Sequence, residues 1–148
     1  MFEIESKNPD EITISTKNTT IKFDVAEAMI DAGLAIGKIT GPGEFEIGEV
    51  AIRGIATESG KTIYDAEIGG VHVGVLGGIE ENLDDLVADV LCTSSTRAVR
   101  EIEPKLVVAM GNVDAMVTDL KLTARTEKKL KVKNLDSLPT TREVVVLN

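Results

Sequence analysis

The chain holds a single histidine, His72, inside the alternating run Val71-His72-Val73-Gly74-Val75-Leu76. An imidazole there could ligate zinc or carry a proton. Strand parity sets His72, Gly74 and Leu76 on one face and Val71, Val73 and Val75 on the other. His72 is therefore expected in a structural or surface role. Ser94 and Ser95 could act as nucleophiles. With one histidine and no Gly-x-Ser-x-Gly elbow, no triad assembles around them. The run Thr93-Ser94-Ser95-Thr96 reads instead as helix N-cap material.

Carboxylates are the abundant potential ligands. Glu80, Glu81, Asp84 and Asp85 form i,i+4 pairs if residues 80–87 are helical, and could hold Mg²⁺ or Ca²⁺ weakly. The plainer reading is a solvated face compatible with a helix N-terminus. Glu44 and Glu46 share a strand face and could act as an acid/base pair, but no nucleophile or electrophile stands near them. They read as charge on an exposed strand edge. Gly77-Gly78 could cradle a phosphate, yet four carboxylates follow and would repel an anion. Cys92 lies in the apolar run Asp89-Val90-Leu91-Cys92 and reads as a buried small hydrophobe.

Three short alternating runs open the chain: Phe2 and Ile4, Ile12 and Ile14, Ile21 and Phe23. Period-two alternation predicts half-buried strands. Asn8-Pro9-Asp10 and Lys17-Asn18 predict the turns of an antiparallel meander. Residues 25–36 predict a short helix or turn ending near Gly33. Strands are expected at 45–47, 49–55, 62–68 and 71–76, with Gly69-Gly70 as a two-residue hairpin. An acidic helix over 80–87, a buried strand at 89–92, a helix over 97–103 stopped by Pro104 and a buried strand at 106–110 give an α/β rhythm. A helix at 114–120 and strands at 129–133 and 144–147 complete the reading. This order suits two packed sheets with helices outside them.

At 148 residues with 43% hydrophobic composition, one domain spanning 1–148 is expected. A net charge of −9 argues against nucleic acid and against an anionic membrane surface as partners. No apolar stretch approaches the roughly 18–20 residues of a membrane span. The N-terminus has no apolar signal core, so a cytoplasmic location is expected.

Several phrases, in order, resemble the metallo-β-lactamase superfamily, in particular its branch similar to ascorbate-phosphate lactonases. Gly41-Pro42-Gly43-Glu44-Phe45-Glu46-Ile47 is similar to that branch's Gly-Pro-Gly-Glu-Tyr-Glu segment. Val75-Leu76-Gly77-Gly78 stands where the branch has His-Leu-Gly-Asp. Ala88-Asp89-Val90-Leu91 and Pro104-Lys105, followed by Val107-Val108-Ala109-Met110, resemble two of its strands. The resemblance implies an αββα two-sheet sandwich of reduced size, an α/β fold that is mostly β with a few short helices. It also implies zinc hydrolysis, and here the chain departs from the pattern. The His-x-His-x-Asp-His motif is missing between Asp24 and Gly41, and the later ligand positions hold Val75, Gly78 and Gly111. Those side chains offer zinc no donor.

The expectation is thus a metal-free domain without catalytic residues or cofactor. It would act through association with itself, as a homo-oligomer, or with another protein. Met29, Ile30, Leu34, Ile36 and Ile39 are the candidates to cover the shortened region or present it to a partner. Two alternatives are a hydrolase with a rearranged or intersubunit metal site around His72 and the carboxylates, and a small-molecule sensor using the remnant cleft.

Overall fold

Alternation in the first third builds one face of the core. In the computed structural model, which describes residues 1–148, β1 (Phe2–Asn8), β2 (Glu11–Ser15) and β3 (Thr20–Asp24) form the expected meander. Phe2, Ile4, Ile12, Ile14, Ile21 and Phe23 all turn inward and are buried. The meander continues through β4 (Met29–Asp31) and β5 (Lys38–Thr40). Later in the chain, β13 (Leu130–Val132) joins its other side by pairing with β1. The first sheet therefore runs β13-β1-β2-β3-β4-β5.

The second sheet is built from β6 (Gly43–Ile47), β7 (Val50–Ala56), β8 (Thr62–Ile68), β9 (Val71–Gly77), β10 (Val90–Thr93), β11 (Leu106–Ala109), β12 (Thr123–Glu127) and β14 (Glu143–Leu147). Its order is β12-β14-β11-β10-β9-β8-β7-β6. Strands β6 to β9 are antiparallel, and β9, β10, β11, β14 and β12 are parallel neighbours. Parallel neighbours need crossovers. Helix α1 (Thr96–Ile102) carries the chain from β10 to β11, the segment with the 3-10 turn Leu83–Asp85 carries it from β9 to β10, and α2 (Asp114–Leu120), which packs on α1, leads from β11 to the edge strand β12. Strands β10 and β11 are covered on both faces and read as continuous apolar runs. One core of 41 buried hydrophobic residues joins both sheets and the helices.

Of the short helix or turn expected over 25–36 only the turn forms, and the helix predicted over 80–87 is absent. Residues 25–28 are turn, and 29–31 and 38–40 are strand. Ile30 is fully buried between Phe23 and Ile39 across the strands, and Gly33 and Gly37 take positive φ in the connecting loop. Pairing against β3 outweighs the helical preference of the alanines. The acidic run 80–87 forms only a 3-10 turn at Leu83–Asp85, entered by Asn82 in the left-handed region. Its i,i+4 carboxylate pairs therefore do not exist. Both outer edges of each sheet remain unpaired: β13 and β5 in the first, β12 and β6 in the second.

Candidate functional site

Three loops converge where β9, β10 and β11 end: Gly77-Gly78, Thr93-Ser94-Ser95 and Met110-Gly111. The turns of the first sheet close over them. Gly77 has φ +58°, and a Cβ on it would lie 2.8 Å from Cγ2 of Val25. Gly111 has φ +94°, and a Cβ there would meet Cβ of Pro9 at 3.4 Å. Gly78 faces the Ser94 hydroxyl, with 3.5 Å to a Cβ placed on it. Val75 is fully buried between the sheets, paired with Tyr64 and Cys92. Beside this plug an open cleft of about 470 Å³ is lined by Lys7, Pro9, Gly111, Leu147 and Asn148 among others.

Ser95 and Thr93 near these loop ends are committed to structure, whereas the Ser94 hydroxyl faces Gly78. Ser95 caps α1 by accepting from the Ala98 N–H at 3.0 Å, and its hydroxyl donates to Glu80. Thr93 donates to the Gly77 carbonyl at 2.7 Å. Cys92 is fully buried, and burial pushes its thiol far above the usual range. Tyr64 is also fully buried, edge-on to Phe23 with centroids 5.5 Å apart. Its hydroxyl has no hydrogen-bond partner, and desolvation raises it to about 12.

The ionisable groups gather elsewhere, on the outer face of β6 to β9. The Gly69-Gly70 hairpin, with both residues at positive φ, sets Glu67 opposite His72. His72 Nδ1 lies 3.1 Å from Asp65, and Nε2 lies 3.1 Å from Glu67. Arg53 reaches Asp65 at 3.7 Å and donates to the Asp85 carbonyl at 2.7 Å. Asp65 is thereby buried with two partners, as a buried carboxylate requires. A groove of about 640 Å³ runs across this face past Glu44, Phe45, Glu46 and Val87. The predicted parity of His72 holds: it points away from Val75, into this groove. Its partners were missed, although the hairpin register alone pairs it with Glu67. Nowhere do three His, Cys, Asp or Glu side chains converge to hold a metal ion.

No family model matches the chain, and no curated protein matches it. A solved structure does. It is a Thermotoga maritima protein described, by inference, as a Zn-dependent hydrolase of the metallo-β-lactamase superfamily. The similarity covers 99% of this chain and 98% of that one, with a TM-score of 0.67 at 19% identity. The chain has the metallo-β-lactamase fold. This fold implies zinc, and the residues here do not fit it. Val75, Gly78 and Gly111 carry no donor, and Val25 packs so closely on Gly77 that a Cβ there would clash.

The remaining candidates lie along the β4–β5 hairpin. Ile30 is turned into the core, and Met29 and Ile39 are half-buried. Leu34 is fully exposed and Ile36 more than half exposed, at the hairpin tip beside the free edge of β5. No helix is long and apolar enough to cross a membrane.

Proposed function

We propose that this chain is a metal-free, non-catalytic domain of metallo-β-lactamase fold that works by protein–protein association, first of all with itself. The observation carrying the reading is the plug at the strand ends, where hydrocarbon and glycine occupy the positions a zinc hydrolase needs for ligands. Leu34 and Ile36 add two large apolar side chains standing in water at a free sheet edge. Sedimentation equilibrium across a dilution series tests it. Self-association at micromolar concentration, weakened by Leu34→Asp together with Ile36→Asp, is the expected result. A monomer throughout the series would sink the self-association.

One observation favours a second reading, a hydrolase with a displaced site. His72 stands between Asp65 and Glu67 in an open groove. An Asp-oriented imidazole can serve as a general base. Phosphodiester or lactone hydrolysis that needs added Mn²⁺ or Zn²⁺ and disappears in His72→Ala would establish this reading over the first.

A further inference from the structure

Two of the four free sheet edges carry complementary patterns. Edge strand β6 reads Gly43-Glu44-Phe45-Glu46-Ile47, with Glu44 and Glu46 exposed on the outer face and Phe45 and Ile47 turned inward. Neither glutamate has a cation within ion-pair distance, apart from whatever approaches from outside the chain. Edge strand β13 and its flanks read Lys129-Leu130-Lys131-Val132-Lys133, with all three lysines exposed and Leu130 and Val132 buried. Lys129 and Lys131 lean on Glu5 and Glu3 of β1, while Lys133 has no such partner. These strands end different sheets, and because β1 packs on β14 the β13 edge lies at the end of the sandwich away from β6.

We propose that β6 of one copy pairs with β13 of the next, so that the eight-stranded sheet of one continues into the six-stranded sheet of its neighbour. The proposal rests on the self-association reading and supplies its geometry. Unpaired edge N–H and C=O groups seek a strand. Period-two parity then sets Glu44 and Glu46 beside Lys131 and Lys133 on one face, and Phe45 beside Leu130 or Val132 on the other. A two-fold contact of β6 with itself would face glutamate with glutamate. The same contact of β13 would face lysine with lysine. Only the unlike pair is attractive, so association is head-to-tail. Because both outer faces coincide, the six-stranded sheet of the first copy and the eight-stranded sheet of the next lie on one side. This brings β5, with its Leu34–Ile36 tip, toward β12 of the neighbour.

The experiment uses the full chain and sedimentation equilibrium, with thermal melts to verify folding. Glu44→Lys with Glu46→Lys, and separately Lys131→Glu with Lys133→Glu, are each expected to weaken association roughly 10-fold or more. An equimolar mixture of the two variants restores it, since each then meets an opposite edge. Wild-type association also weakens as the Debye length falls from about 10 Å at 0.1 M salt to about 3 Å at 1 M. If a variant fails to fold, this salt series decides alone, and salt-insensitive association overturns the pairing. Association that survives both charge reversals but is lost in the Leu34→Asp, Ile36→Asp protein overturns this edge pairing and leaves the association reading standing. A mixture that stays dissociated also overturns it. A wild-type monomer at every concentration removes both.

Discussion

Tyr64 and Gly77 show how tightly the space between the sheets and the strand-end loops is packed. The Tyr64 hydroxyl is buried without a partner, and an orphaned polar group costs about 1–3 kcal/mol. Tyr64→Phe should therefore stabilise the protein by about 1 kcal/mol in denaturant unfolding. Its pH dependence follows the same cause. Burial raises the phenol to about 12 in the folded state against 10.0 for the free group. The neutral form is thus held by folding: this stability is complete below the unfolded value and is lost as pH climbs toward the folded one. Wild type should lose stability across that window, and Tyr64→Phe should lack that increment of loss. Gly77→Ala tests the plug directly. A left-handed alanine costs roughly 1–2 kcal/mol, and its Cβ would strike Val25, adding about 1–3 kcal/mol of overpacking. In a Val25→Ala background the second part should vanish. A double-mutant cycle with no coupling would show that Val25 does not press on this loop.

Among the elements, those with paired signals were legible. The run Thr93–Thr96 announced a cap for a helix expected over 97–103, and Pro104 its end; the helix runs Thr96–Ile102, and the structure picks Ser95 from that run as cap. Ser95→Ala should cost about 1 kcal/mol through the lost cap. The 80–87 segment was misread because its acidic composition suits a helix start, while its side chains and the Asp85 carbonyl answer to distant partners. Glu81 accepts from the Ser59 backbone N–H at 3.0 Å and also from its hydroxyl. The Ser59 side-chain hydrogen bond is the main reason the Glu81 carboxyl lies below its usual value of 4.5. A depressed carboxyl contributes stability above the unfolded pKa and loses it as pH falls through the folded one. Ser59→Ala should thus be less stable than wild type at neutral pH, and the gap should close in acid. A gap that persists unchanged at low pH would mean that the serine acts through packing. Strand β12 was missed altogether: all but one of its residues are exposed, so it has no alternation to detect, and only parallel pairing with β14 makes it a strand.

Across the whole molecule, burial of Cys92 between the sheets, beside Val75, predicts that thiol reagents react only as fast as the protein opens. Modification by a fast reagent under native conditions would contradict this packing. Sequence by itself determined the strand alternation and the hairpins, because each follows from local residue type, parity or turn chemistry; the two-sheet order and the three positions without zinc donors were legible through the resemblance to the metallo-β-lactamase superfamily. Tertiary structure alone decided what packs against the loops at the strand ends. Val25 and Pro9 reach Gly77 and Gly111 from another sheet, and no local pattern encodes such a contact. It also decided the fate of residues 25–40, where Ile30 became core and Leu34 was left in water. Apolar residues at these positions have the same composition whether buried or exposed; only the neighbouring strand, supplied from elsewhere in the chain, distinguishes them.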